Sequence, residues 1–492
     1  MIPHMSQRGI DDQVRACDHR GMTHHDSIST FDLSRELSST KLGDVRLSSR
    51  LQKIAERLQA DPGSSFPQIM QSEAELEAFY RFIANDRVSM DALVAAHVGN
   101  TAQRAQAAPR IVVAHDTTRL DWAMPRVPND VGYTSGTTRG FFLHASLAMR
   151  REDPGTPLGL LSLAMINRPE PRKPRLPPRD RAKQEGCESL KWLRGVQEAR
   201  KQVGQDVNMV HVMDREGDDY KLFSQMINTG EAFVIRVCHD RILTPENTGE
   251  KKMYKKLSTI ESIAAREVPL SKRMNKVDAK AAKIHPRREA RLATLCIRAT
   301  SLTLRRPRDL EAPFPNELPL NVVHVFEPSP PDGEAPIDWK LFTTLPVHDV
   351  ANALEVVDIY RQRWMIEEYF KALKTGTALK SRQVESLQAM KVVLGLALPL
   401  AWRLLGLRTL ARQTPNAPAT LILSQVQIDI LRALGSRPIS KEPTLEEVSY
   451  ATAALAGHLK ANGPPGWATL AAGLEKLLLM ERVWLAAKRE EM

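Results

Sequence analysis

The spacing of hydrophobic and polar positions changes along the chain, and the changes divide it. From Phe31 to about Gln106 the apolar residues recur at helical spacing, with no strong strand run. Leu42-Gly-Asp44 looks like a cap opening a helix over Val45 to Leu58, with Arg46, Arg50 and Lys53 roughly on one side. At Ile111 the period shortens, and Ile111 to Asp116 reads as an apolar strand ending in an acid. Phe141 to Met149 and Leu158 to Ile166 read as further strands. A Pro/Arg-rich loop, Arg168 to Asp180, then leads to a helix from about Ser189 to Val203. Met209 to Asp214 is a second apolar strand ending in an acid, followed by a helix after Gly217 and a strand over Ala232 to Val237. That order predicts a mixed α/β sheet. Short β runs near Ala290 to Ile297, Leu302 to Arg305 and Val322 to Phe326 belong to an insertion spanning about 239–345. Helical spacing returns around Ile359 and dominates the C-terminal part, where Leu470, Leu474, Leu477 and Leu478 form a stripe. The expected divisions are a leader at 1–30, a helical unit at 31–107, an α/β core at 108–385 and a helical unit at 386–492.

Composition adds a core and an uneven charge. With 492 residues, 42% hydrophobic and 26% charged, the chain has the apolar material of an ordinary globular protein with several units. Its net charge of +11 is concentrated: Lys251 to Arg308 holds 17 basic and 4 acidic residues, and the remainder sums to −2. Such a segment suits a polyanion docked at one place; a solvated basic loop is the second reading. Cys17, Cys187, Cys238 and Cys296 lack finger or redox spacing, which fits a reducing cytoplasm. Cys17, His19, His24 and His25 could be drawn as a zinc site, but no apolar periodicity holds that segment. No secretory h-region is read, and Val392 to Trp402, broken by Pro399, is taken as a buried helix too short to cross a bilayer. No P-loop, dinucleotide fingerprint or H-E-x-x-H occurs.

The chemistry concentrates in Y-x2-R-x3-E-x6-K, formed by Tyr360, Arg363, Glu367 and Lys374. On a continuous helix these four lie within an arc of roughly 60°, while Ile359, Ile366, Phe370 and Leu373 make a neighbouring apolar stripe. One carboxylate among two cations and a phenol suits metal-assisted phosphoryl transfer; a solvated face with ordinary i,i+4 pairs is the alternative. Asp116 and Asp214 at the ends of neighbouring strands, completed by Glu367, could hold two divalent cations about 4 Å apart. All-oxygen ligands suit Mg²⁺, which keeps several of its waters. Taken singly, Asp116-Thr-Thr also reads as an Asx turn and Asp214-Arg-Glu-Gly as a cap.

With these residues the chain resembles the DDE transposases of bacterial insertion sequences, in the Tn-five-like, cut-and-paste branch with a Y-R-E-K signature. The resemblance extends over Leu42-Gly-Asp-Val-Arg46 with Arg50, Tyr80-Arg-Phe-Ile83 with Asn85 and Val88-Ser89, and Asp116-Thr-Thr118. It continues through Glu188-Ser189 with Lys191-Trp192, Asp214-Arg215-Glu216, and Asp338-Trp339 before a Leu-Phe-Thr-Thr strand. The basic insertion, Ala84 and the extra leader depart from the pattern and leave the terminal DNA sequence open.

The resemblance implies an RNase H-like catalytic core with a β-rich insertion, flanked by all-helical N- and C-terminal domains. Asp116, Asp214 and Glu367 would be both catalytic and metal-binding, with Mg²⁺ as cofactor and Mn²⁺ able to substitute. Water would free a 3′-hydroxyl at each transposon end, and that hydroxyl would form a hairpin, later reopened for insertion into target DNA. Trp339 would receive an unstacked base, while Tyr360, Arg363, Lys374 and Arg215 would contact the DNA backbone. Arg46 and Arg50 would contact the ends. Double-stranded DNA and a second copy of the chain would be the partners, in the bacterial cytoplasm, with no membrane. The Leu470–Leu478 stripe would be the homodimer face, although intramolecular packing would look the same in sequence. A catalytically silent DNA-binding relative and an RNase H-like nuclease without joining activity are the competing readings.

Overall fold

The computed structural model describes residues 32–122, 127–152, 155–170, 190–244, 250–270 and 288–379, and 382–490 apart from 383, 460 and 462–463. The leader, the Cys17 group, Glu188, Ser189 and most of the Pro/Arg-rich loop lie outside these residues.

The N-terminal stretch folds as helices α1 (Leu33–Leu37), α2 (Val45–Ala60), α3 (Phe66–Ile69), α4 (Glu73–Ile83) and α5 (Met90–Gln106). Gly43 adopts a left-handed φ of 70°, and Asp44 then caps α2 by accepting the Arg46 amide at 2.8 Å. The expected cap and helix are therefore both present.

The sheet begins with β1 (Arg110–Asp121), β2 (Tyr133–Ser135), β3 (Thr138–Arg150) and β4 (Pro157–Ile166). After α6 (Leu190–Val203) come β5 (Asn208–Met213), α7 (Tyr220–Asn228) and β6 (Ala232–Val237). Pairing is antiparallel for β1–β3 and β3–β4, and parallel for β1–β5 and β5–β6. The result is a mixed α/β architecture, as expected. Asp116 does not end its strand, however. The parallel pairing of β1 with β5 stops at Ala114–Val212, whereas the hairpin with β3 carries β1 on to Asp121. Beyond Ala114, β1 thus keeps a partner on one edge only.

The insertion also differs from a detached β unit. After α8 (Met253–Ser258), the strands β7 (Ala264–Leu270), β8 (Arg291–Arg305), β9 (Glu317–Phe326) and β10 (Asp338–Thr343) continue the same sheet, because β10 pairs antiparallel to β6. The strand order is β2-β3-β1-β5-β6-β10-β9-β8-β7, with β4 beside β3. The two short runs expected at 290–305 form one strand, β8, paired with β7 over Arg291 to Ile297 and with β9 from Cys296 to Arg305.

Two helices, α9 (Val350–Gln362) and α10 (Trp364–Lys371), return across the sheet, with α10 packed on β1. Ile359, Ile366, Phe370 and Leu373 are all buried, which seats this segment as its apolar stripe predicts. The chain finishes with α11 (Leu387–Gln413), α12 (Gln425–Leu434), α13 (Leu445–Leu455) and α14 (Trp467–Glu490). At 27 residues, α11 is longer than the apolar run suggested and by length and composition could cross a bilayer; instead it is mostly buried inside the fold. Its Trp402 Nε1 donates to the Pro157 carbonyl at 3.0 Å, fixing it to the sheet. Leu477 and Leu478 are buried, and Leu474 packs beside them. Part of the stripe on α14 thus packs within the chain, while Leu470, Leu474 and Leu478 also line an apolar cavity of about 690 Å³ shared with α11 and α13. Among the described residues of that helix, the exposed large apolar side chains are Leu479, Val483 and Leu485.

Candidate active site

Register places the first two acids. Val112 pairs with Val210 and Ala114 with Val212, so two residues further on Asp116 and Asp214 reach the same level. Alternation then turns both toward one face of the sheet. Neither strand has a neighbour between them there, since β5 ends at Met213. Each acid spends one oxygen locally. Asp116 Oδ1 accepts the Thr117 amide at 2.7 Å, and Asp214 Oδ1 caps the following turn through the Glu216 amide at 2.9 Å. The turn and cap readings of these motifs are therefore present in the fold, and each bond occupies only one oxygen of its carboxylate.

The third acid arrives on α10. Residues 360–374 are not one even helix. At Arg363 the turn tightens, with the Arg363 amide donating to the Tyr360 carbonyl and the Ile366 amide to the Arg363 carbonyl. From Ala372 to Gly376 it opens into a π-helical turn. The common arc expected for Tyr360, Arg363, Glu367 and Lys374 holds only locally. Its first three members converge, while Lys374 lies within the π turn, half-buried.

Arg363 is the centre of the site. One guanidinium nitrogen lies 3.5 Å from Asp116 Oδ2 and another 2.5 Å from Glu367 Oε1. Burial opposes its charge, yet Tyr360, Glu367 and Asp116 around it push its pKa above the ordinary value. Even so, the acids outnumber the cation. Burial first, and then the Asp214 charge, pushes the Asp116 carboxyl up to about 7, with Arg363 only partly offsetting them. Burial likewise raises the Tyr360 phenol.

Among the described residues, the group of possible ligand atoms lying within 4.8 Å of one another is Asp218, Cys238 and His239. Those atoms are already committed: Asp218 is buried and accepts from the Cys238 and His239 amides, His239 Nδ1 and Arg241. This cluster pins the loop after β6. Asp116, Asp214 and Glu367 do not form such a group, and Arg363 lies between two of them. In donor type they fit Mg²⁺ or Mn²⁺: three hard carboxylates, an Asp214 oxygen beyond the one that caps its turn, and more negative charge than one guanidinium cancels.

The aromatic residues sort differently from the sequence expectation. Trp339, on β10, is half-buried over Leu295, Ile297, Val325 and Val357 and meets Tyr360 edge-on at 5.5 Å. Much of its surface is thus committed to packing, the other role open to an indole at a strand start. Trp364 is 51% exposed, with Lys371 Nζ 4.8 Å from its ring. Arg215 is exposed beside Asp214. Arg46, far along the chain on α2, has 92% of its side chain in solvent and pairs with Asp44, while Arg50 is half-buried on the same helix.

Two features escaped the sequence reading. Arg236, the lone cation in the apolar strand β6, lies close enough to Tyr360 to favour its ionised form. On the sheet face opposite the acids, His115, His144 and His211 form a buried network. Glu231, held ionised at about 2 by His211 and Arg200 despite burial, accepts from His211 Nε2. That leaves His211 Nδ1 to accept from His115 Nε2 at 2.8 Å, and His115 Nδ1 to accept the Ser146 hydroxyl at 2.9 Å. His144 Nδ1 accepts from the Thr117 hydroxyl at 3.0 Å. Burial pushes all three imidazoles down, His144 to about 3, so they are neutral. Their sequence signal was histidine where strand alternation calls for an apolar residue.

Comparison with known families agrees with this geometry. Residues 33–88 match the family described as Transposase DNA-binding, and residues 194–400 match Transposase DDE domain. The second match contains Asp214 and Glu367; Asp116 precedes it and joins them through the register of β1 on β5. Together the matches support a DDE transposase with DNA as partner. Domains of the second kind carry nucleotidyl-transfer or nuclease activity and use divalent metal ions.

Proposed function

We propose that the chain, a DDE transposase by its two domain matches, excises a bacterial insertion sequence through hairpin ends and inserts it into target DNA. The observation that carries this reading is the alignment of Asp116 with Asp214 beneath Glu367, at a break in strand pairing open to a substrate. The order β4-β3-β1-β5-β6, with only the β3 hairpin strand reversed, supports an RNase H-like core for the catalytic unit. Water attacks the phosphodiester at the element's end and frees a 3′-hydroxyl. That hydroxyl then attacks the opposite strand, closing a hairpin and releasing the flanking DNA. Divalent cations, Mg²⁺ or Mn²⁺, would be held by Asp116, Asp214 and Glu367 and supply Lewis acidity for the attacking and leaving oxygens.

The chain's own residues do the positioning. Arg363, with Tyr360 and Lys374, holds phosphates beside the acids, and Arg215 extends that contact along the strand. Trp339 and the more exposed Trp364, both close to the Tyr360–Glu367 segment, receive an unstacked base. Arg46 and Arg50 on α2 contact the backbone of the element's ends. The active form is a homodimer that holds both ends, working in the bacterial cytoplasm. Its contact uses the exposed Leu479 and Val483 of α14.

The test is purified protein with Mg²⁺ and a DNA carrying the flanking ends of its own element, run on a denaturing gel beside Glu367→Ala. Hairpins and double-strand breaks that vanish in the variant are expected. End binding without cleavage would instead identify a silent DNA-binding relative. Nicks with neither hairpins nor joined products would identify a nuclease.

A further inference from the structure

Two of the oxygens that a cation would use, one on Asp116 and one on Glu367, are held by Arg363. Asp116 Oδ1 and Asp214 Oδ1 are committed to backbone amides. Asp116 Oδ2 and Glu367 Oε1 both face the Arg363 guanidinium. A guanidinium and a divalent cation cannot share those atoms, and Arg363, with 13% of its side chain exposed, is not a loosely held surface group. We propose that Arg363 is an internal counterion that keeps the carboxylate site closed to divalent cations until a DNA phosphate draws its guanidinium away. The inference rests on reading Asp116, Asp214 and Glu367 as a metal-binding set.

Three observations support an exchange over a permanent ion pair. First, the site is under-neutralised: one guanidinium faces Asp116 and Glu367, and the Asp214 charge acts on Asp116 as well, so its replacement by divalent cations improves the charge balance. Second, Arg363 sits where the helix changes hydrogen-bond pattern between α9 and α10, a position able to absorb a local adjustment. Third, its planar fork suits phosphate as well as carboxylate, so the bonds given up to the acids are recovered on DNA. The consequence is coupling. DNA raises the affinity for divalent cations, and by linkage the cations raise the affinity for DNA by the same factor. A protein without substrate then carries a site that does not cut.

The experiment measures Mn²⁺ binding to the full chain through the electron paramagnetic resonance of free Mn²⁺, with and without a mixed-sequence DNA duplex at low salt. Wild type is expected to bind weakly alone and roughly 5–150-fold more tightly with DNA, the usual span of such coupling. Arg363→Ala and Arg363→Gln are expected to bind tightly without DNA and to gain little when it is added. Melting curves on the same samples check that both variants are folded. Variants that bind Mn²⁺ no more tightly than wild type in the absence of DNA would overturn the proposal. If Asp214→Asn binds Mn²⁺ as wild type does with DNA present, the metal-site reading itself fails, and the proposal with it.

Discussion

Two largely buried carboxylates in this chain behave in opposite ways. Glu36 on α1 is 4% exposed and meets His97 Nδ1 at 2.6 Å and both terminal nitrogens of Arg104 at 2.9 Å. Burial pushes its carboxyl up, but His97 and Arg104 more than reverse this and hold it at about 2. Arg104 also lies over the Trp402 ring at 4.2 Å and donates to the Leu158 carbonyl, so the cluster ties the N-terminal helices to α11 and the sheet. Asp116 has fewer partners and two acidic neighbours, and it is pushed up to about 7. The first site is electrostatically finished. The second is incomplete until something positive arrives, which is what distinguishes a site for chemistry from a clamp.

That contrast can be attacked directly, and the largest effect belongs to the acids. Glu367→Gln or Asp214→Asn should lower strand cleavage on the order of 10³-fold or more, while the unfolding midpoint stays level or rises as like charges are removed. A variant that loses activity because it unfolds would erase the contrast. Glu36→Gln should do the reverse, costing about 3–5 kcal/mol because Arg104 is left buried and poorly paired. Denaturant unfolding measures it, and a loss below about 1 kcal/mol, the level of a surface pair, would show that the clamp is ornamental.

The two acids should also give opposite pH dependences. The folded pKa of Glu36 is depressed, so its contribution is present above about 4.5 and is lost as pH falls toward 2. The folded pKa of Asp116 is raised, so charging it costs stability as pH climbs from about 4 through 7. With a DNA duplex present, melting temperature against pH should therefore sag over that upper window in a chelator and flatten in Mg²⁺; identical curves would mean no cation binds at Asp116.

Smaller effects sharpen the picture around the site. Trp364→Ala should leave the melting temperature unchanged while weakening binding to single-stranded DNA by about 1–3 kcal/mol, the worth of one stacked base. Trp339→Ala should cost stability as well, given its packing against β8, β9 and α9. Arg46→Ala should be mildest, lowering the slope of log affinity against log salt by about 1; an unchanged slope would remove Arg46 from the DNA contact.

Much of this was legible in the chain. Apolar periodicity located β1, β5, β6 and the buried stripe of α9 and α10, because burial on a strand or helix face demands a fixed period. Lone acids at the ends of apolar runs marked Asp116 and Asp214, and the Y-R-E-K spacing marked Glu367. Other features depend on partners distant in sequence and carry no local signal. Only pairing could decide that β1 runs past Asp116 on the strength of β3, or that β10 joins the insertion to β6. Only packing could bury Leu477 against α12 and α13 and leave Leu479 and Val483 outside. The placing of Arg363 between Asp116 and Glu367 belongs to the same class. Sequence determines which charges exist and which face of an element they take; the fold decides which of them meet, because electrostatic energy depends on distances that only three dimensions set.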